Sequence, residues 1–284
     1  MLLESPERDV LQEARATTQR VARTFALACR LLPRDVRDDV YRLYLVFRTL
    51  DDLVDEGRPE AAARIAGVEA WCRGGEAATA EARILADLDA RHGLPRDALE
   101  DFCRGMRDDL DHVPCATEAD LDRYCYRVAG TVGVVMAAVL GTVGDPARAR
   151  QAAAALGMAM QRTNILRDID EDAGNGRCYL AQETRRRLGA AAPGGRREAL
   201  LRDQIARADR LYEEGLAGVA LLRRGGLAIR AAAAMYREIL RQIERDGYGA
   251  RPGRAVVSRR RKVAAVARPS TMNPVLRRAA RSRA

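Results

Sequence analysis

With 284 residues, 48 % of them apolar and 4 % aromatic, the chain is long enough to bury a large core. Two histidines (His92, His112) and six cysteines without a CxxC spacing give no footing for a Ser-His-Asp triad, a zinc site or a disulfide framework. The formal charge of +9 is concentrated at one end: residues 247–284 hold eleven Arg or Lys and no acid, so the remainder is slightly acidic.

Abundant Ala and Leu with few β-branched runs favour helix throughout. A first helix is expected from Pro6 to Leu32, stopped by Pro33, and a second from Arg34 to Glu56, ended by Gly57-Arg58-Pro59. The second carries Tyr41, Tyr44, Phe47 and Arg48 ahead of Asp51-Asp52-Leu53-Val54-Asp55, with both tyrosines read as packing. Helices over 60–72 and 77–91 precede the stop-and-start signal His92-Gly93-Leu94-Pro95, and another covers 96–112. Asp108, Asp109 and Asp111 beside His112 read as a solvated helix end.

Thr117 to Asp120 starts a helix running to Leu140, and Asp145-Pro146 starts a long one reaching Asp168-Ile169-Asp170-Glu171-Asp172 near its end. Ala190–Gly195 reads as a surface loop, and helices over 196–223 and 227–246 close the body around Gly225-Gly226. One all-helical domain over 1–246 and a basic, flexible tail over 247–284 is the expected organisation. The uncharged run Val128–Gly144 is shorter than the ~20 residues of a membrane span. An N-terminus without an apolar stretch and unpaired cysteines predict a cytoplasmic location.

The two acidic clusters carry the chemistry. Residues four apart share a helix face, so Asp51 with Asp55, and Asp168 with Asp172, each form a carboxylate pair. Four carboxylates converging on one cavity repel unless cations join them, and Mg²⁺ held between carboxylates and substrate phosphates meets that need. Gln161, Asn164, Asp168 and Asp172 fall on one stripe of an otherwise apolar helix, as a cavity wall requires. Ala129, Gly130 and Gly133 leave room along the helix for an elongated apolar ligand, and the rings of Phe25, Phe47 and Tyr236 suit a neighbouring cation.

Three segments together resemble the squalene and phytoene synthases. They are Arg48-Thr49-Leu50-Asp51-Asp52-Leu53-Val54-Asp55, Tyr124-Cys125-Tyr126-Arg127-Val128-Ala129-Gly130-Thr131-Val132-Gly133, and Asn164 through Asp172 with Gly176-Arg177-Cys178-Tyr179-Leu180. The resemblance spans residues 20–246. It implies the all-α isoprenoid-synthase (class I terpenoid synthase) bundle around an apolar cavity, joining two prenyl diphosphates head to head through a cyclopropylcarbinyl diphosphate. By matching positions it implies Asp51, Asp52, Asp55, Asn164, Asp168 and Asp172 as metal-site residues. The matching substrate contacts are Arg23, Thr24, Phe25, Arg48, Tyr126, Gln161, Asn164 and Tyr236.

Two positions depart from the family: Ala22 replaces a serine that contacts phosphate, and Arg162 stands where an apolar residue is usual. Arg162 could bind phosphate or face a neighbouring helix.

Phytoene-type coupling of geranylgeranyl diphosphate is the favoured outcome. The alternatives are squalene-type coupling of farnesyl diphosphate, same-fold cyclisation of a single prenyl diphosphate, and a non-enzymatic helical scaffold. Expected cofactors are Mg²⁺, with Mn²⁺ as a substitute, and NADPH only if a squalene-type reaction ends by hydride capture. The basic tail suggests peripheral contact with anionic lipid, and no nucleic-acid partner is expected.

Overall fold

A computed structural model describes residues 6–188, 197–251 and 253–267, and among these described residues there are fourteen α-helices and no strand. The side chains of residues 6–8 and of Arg23 are not described, and the Ala190–Gly195 loop lies outside the described residues.

The N-terminal part runs α1 (Pro6–Val21), α2 (Arg23–Cys29), α3 (Arg34–Asp55), α4 (Ala61–Cys72), α5 (Ala80–His92) and α6 (Arg96–Leu110). Local chemistry explains most of these bounds. Thr79 caps α5 by accepting from the Ala82 N–H, and Gly93 ends it in the left-handed region. The expected single helix from Pro6 to Leu32 is broken at Ala22, which leaves helical geometry (φ −112°, ψ 57°). Neither Gly nor Pro marks this break. It lets α1 lie along α3 while Phe25 of α2 turns into the interior, so packing overrides a uniformly helical local preference.

Next come α7 (Glu118–Cys125), α8 (Thr131–Leu140), α9 (Pro146–Arg167) and α10 (Ile169–Gly174). A capping box between Thr117 and Asp120 starts α7, and Asp145 caps α9 ahead of its Pro at the first position. Two expected continuous helices are interrupted. A π-helical turn, Tyr126–Gly130, separates α7 from α8, and Asp168 (φ −103°, ψ 9°) separates α9 from α10. The polar stripe from Gln161 to Asp172 therefore crosses a junction, although Asp172 still donates its N–H to the Asp168 carbonyl at 2.8 Å.

The chain closes with α11 (Gln182–Arg187), α12 (Arg197–Ala217), a 3₁₀ turn over Gly218–Leu221, α13 (Gly226–Arg245) and α14 (Arg259–Ala267). α9 is central, packing on α8, α12 and α13. The π-helical turn and α8 both touch the α9 backbone: a Cβ on Gly157 would meet the Ala129 carbonyl oxygen at 2.2 Å, and one on Gly133 would meet that of Ala153 at 2.3 Å. Part of the segment read as tail packs back on the body, with Val257 and Ala265 buried and α14 lying along α13.

Arg162 is buried and faces neighbouring helices. It donates to Gln204 at 2.7 Å, Asp122 at 2.6 Å and Glu118 at 3.1 Å, while Glu118 also accepts from Thr184 and Gln204. Of its two earlier alternatives, the helix-facing one is realised. Arg162→Met should destabilise the protein by roughly 2 kcal/mol, because half-buried Glu118 keeps only Arg207, 3.8 Å away, as its cation. Adding Glu118→Gln should recover part of that loss, measured by urea unfolding.

Candidate active site

A cavity of about 610 Å³ lies between α2, α3, α8, α9 and α13. Its walls are apolar (Phe25, Phe47, Val132, Met136, Leu156, Ile229), and its polar groups gather at one end: Arg48, Asp51, Gln161, Asn164, Arg167, Tyr236 and Arg254. From Ala149 to Asn164 along α9 the wall spans fifteen residues, about 22 Å at the α-helical rise. Phe25 packs tilted on Tyr44 with centroids 5.1 Å apart, and Tyr44 is part of the cavity lining as well as packing.

The mouth is built from two sides. On α3, Arg48 donates to Asp51 at 3.0 Å and pairs with Asp52, while Asp55 accepts from Arg177 at 2.7 Å. On the other side, Arg167 grips Asp168 with two hydrogen bonds (2.8 and 2.5 Å), and Arg254 adds a contact at 2.9 Å. Asn164 donates to Gln161 at 3.3 Å, and its own Oδ1 is buried without a partner. Asp170 instead pairs with Arg197 and accepts from the Gly253 N–H.

The two sides are joined at Arg177, which follows the second cluster in sequence and donates to Asp55 of the first. Asp51 looks into the cavity, so 44 % of its side chain is open to water although protein surrounds it otherwise. Desolvation, followed by the Asp55 charge, pushes its carboxyl up to about 6. Desolvation, then Asp168 and Glu171, push Asp172 up to about 6, with Asp55 adding to the effect from across the mouth. Arg177 opposes both shifts from between the clusters.

The acidic patch read as a solvated helix end is partly a member of this group. Burial, with Asp51 and Asp55 nearby, pushes Asp109 up to about 7, and Tyr124 donates to it at 3.2 Å. Tyr124 in turn stacks on Tyr179 (5.1 Å), two residues beyond Arg177.

Other sequence-selected residues are placed as follows. Thr24 accepts from Lys262 Nζ at 2.8 Å, and burial together with neighbouring Arg167 lowers the Lys262 pKa. Arg23 opens α2, its side chain outside the described set. Tyr236 lines the cavity beside Arg167. Asp55, Asp168 and Asp172 flank the cavity without lining it, tied to the mouth through Arg177, Arg254 and the Asp168 carbonyl, whereas Tyr126 has neither a place in the lining nor such a link, and Arg150 is its polar neighbour. The π-helical turn beginning at Tyr126 sets this phase, so Tyr124 rather than Tyr126 reaches the acidic group.

The donor set suits a hard divalent cation, being carboxylate oxygens plus the partnerless amide oxygen of Asn164. No three acidic, His or Cys residues among those described are close enough to enclose an ion by themselves. Arginines hold the carboxylates instead, so a cation there needs further oxygens from a ligand.

The squalene/phytoene synthase family model matches residues 18–261. The chain belongs to the squalene/phytoene synthase family. It is 41 % identical to the phytoene synthase of Thermus thermophilus over 237 residues, 79 % of this chain and 80 % of that protein. The 15-cis-phytoene synthase of Synechococcus elongatus is 35 % identical over 279 residues, 90 % of each. A crystal structure of a dehydrosqualene synthase in complex with ligand superposes with a TM-score of 0.83 at 29 % identity, covering 92 % of this chain and 95 % of that one. The helical bundle is thus the isoprenoid-synthase fold, and the chain is a prenyltransferase of a family that processes prenyl diphosphates and generally uses divalent metal.

Arg167, Arg177, Asp109, Tyr124, Arg254 and Lys262 complete the mouth and were not selected from the sequence. Arg167 and Arg177 lie inside the segments that carry the family resemblance, where a cation beside each acidic cluster was the available signal.

The raised carboxyls fix a pH response. Free Asp titrates near 3.8, so between about pH 4 and 6 the folded chain holds protons on Asp51 and Asp172 that the unfolded chain has released. Stability should therefore fall as pH rises through that window. Differential scanning calorimetry should give a metal-free Tm for Asp51→Asn/Asp172→Asn with a flatter slope between pH 4.5 and 7. An unchanged slope would show that these carboxyls titrate normally.

Proposed function

We propose that this enzyme condenses two geranylgeranyl diphosphates head to head to phytoene through a cyclopropylcarbinyl diphosphate. What supports the reading is an apolar cavity whose lining carries Asp51 and Arg254, with Asp55 tied to Arg177 beyond the second cluster and Asp168 to Arg254. Coupling needs such a place, where charged leaving groups are held at the rim and water is kept from a cation below it.

Asp51, Asp55, Asp168 and Asp172, with Asp52 and the Asn164 amide oxygen, would hold Mg²⁺. Bound there with diphosphate, Mg²⁺ supplies stabilisation of the charge on the departing oxygen. Mn²⁺, another oxygen-seeking divalent ion, should substitute.

The chain's own residues do the rest. Arg167, Arg254 and Lys262 form a cationic side to the mouth that offers hydrogen bonds to phosphate oxygens, with Gln161, Arg48 and Tyr236 beside them. Phe25, Tyr44 and Phe47 line the cavity and supply aromatic rings suited to developing positive charge. Gly133, Ala137, Ala153 and Gly157 keep the lower wall free of bulk for the chains. The released diphosphate serves as proton acceptor, consistent with a cavity lining that includes no histidine.

Incubation with geranylgeranyl or farnesyl diphosphate, with and without NADPH, followed by mass spectrometry, tests the product. A forty-carbon hydrocarbon formed without NADPH is expected, whereas an uncoupled product would establish cyclisation. Ala153→Phe should fill the wall and shift kcat/KM at least tenfold towards farnesyl diphosphate, in line with the roughly 10–200-fold worth of small volume changes in apolar pockets.

No helix among the described residues is long and apolar enough to cross a membrane. The enzyme is read as cytoplasmic, meeting anionic lipid peripherally to discharge its product, and nucleic acid is not a partner.

A further inference from the structure

The basic stretch after residue 246 is the obvious lipid-binding candidate, yet several of its cations are committed elsewhere. Arg254 and Lys262 turn into the cavity mouth, and Arg261 donates to Gln242. A different surface has both charge and exposed apolar side chains.

α3, α8, α9 and α13 all reach from the mouth to the opposite end of the bundle, where Leu140 and Leu222 line the bottom of the cavity. Three connections meet there. Thr142 and Leu222 form an isolated antiparallel bridge, and the Arg223 N–H donates to the Gly141 carbonyl at 2.8 Å. A Cβ on Gly225 would touch Leu32 at 2.8 Å and Leu140 at 3.0 Å. These connections present Leu31 (44 % exposed), Val143 (43 %) and Leu227 (60 %), three of the seven large exposed hydrophobics among the described residues. Exposed Arg30, Arg34 and Arg223 surround them without an acidic partner among the described residues. The acids nearby are occupied: Asp35 pairs with Arg224 at 2.9 Å, and Asp145 caps α9.

We propose that this end of the bundle, opposite the acidic mouth, docks on an anionic bilayer. Apolar side chains ringed by unpaired arginines fit a surface that is greasy within and negative at its headgroups, while an acidic protein partner would leave the leucines uncovered. Docked this way, the cavity bottom lies one layer of side chains from the bilayer and the polar mouth stays in water. Soluble diphosphate substrate then enters at one end while the hydrocarbon forms beside its destination. The purpose of the surface rests on the apolar product proposed above, but lipid binding is read without substrate, so either reading can fail without the other.

The test is flotation of the full chain with vesicles of phosphatidylcholine alone or mixed with phosphatidylglycerol. Wild type should float with the mixed vesicles only, and salt should weaken the association. Arg34→Gln/Arg223→Gln should lower binding about tenfold, and Leu31→Ser/Leu227→Ser should lower it similarly. Both variants should keep the wild-type Tm and turnover in detergent, since none of these residues lines the cavity. Arg259→Gln/Arg260→Gln should bind as wild type. Absence of binding by wild type, or binding lost only in the Arg259/Arg260 variant, would overturn the proposal. So would sedimentation equilibrium showing that the leucine variant dissociates a dimer, since a second copy would then cover this face.

Discussion

Asp51→Asn should reduce turnover by about 10³-fold at saturating Mg²⁺ while leaving the fold intact, and Asp168→Asn should do the same. Asn keeps the volume and removes the charge. At Asp51 that change relieves a carboxylate already disfavoured by desolvation and by Asp55, so the metal-free variant should melt no lower than wild type. At Asp168 the amide keeps an acceptor for Arg167 and Arg254 but loses both ion pairs, so a small decrease in Tm is expected there. Lost activity combined with a preserved or raised Tm separates a role in holding diphosphate from a role in folding. Turnover within threefold of wild type in either variant would remove the carboxylates from the chemistry.

Arg254→Gln and Lys262→Gln should each lower kcat/KM about 10²-fold, a size typical of lost charge-assisted contacts to a transferring group. Both residues reach the mouth from the returning C-terminal segment, Arg254 against Asp168 and Lys262 against Thr24 and Arg167. If they hold phosphate, the loss should be largest with short-chain diphosphates, whose apolar parts contribute less binding. If they only brace α14, urea midpoints should fall and kinetics should recover in stabilising osmolyte. Steady-state kinetics with a series of prenyl chain lengths distinguishes these outcomes.

The family, the all-helical architecture and the acidic clusters were legible because they depend on local pattern. The Gly57-Arg58-Pro59 stop fixes the end of α3, and i,i+4 spacing alone places Asp51 with Asp55. What was not legible depends on contacts distant in sequence. Nothing near Asp109 indicates that α3 and Tyr124 will enclose it, and the aspartates flanking it read as solvent-facing. The breaks at Ala22 and Asp168 carry no Gly or Pro, so nothing in the local chain announces them. The run of arginines after residue 250 looks like a solvated tail until Val257 and Ala265, eight residues apart, are seen to bury one face of the returning segment. Arg162 was ambiguous for a similar reason, since its partners lie on α7 and α12, about forty residues away in either direction.

The most direct measurement is a calorimetric titration of the full chain with a non-ionisable thiodiphosphate analogue of geranylgeranyl diphosphate, in the presence and absence of Mg²⁺. Opposed carboxylates that accept diphosphate only through a bridging cation require tight binding with the metal and a loss of at least about 10²-fold without it. Equal affinity in the two titrations, or no binding in either, would contradict the site described here.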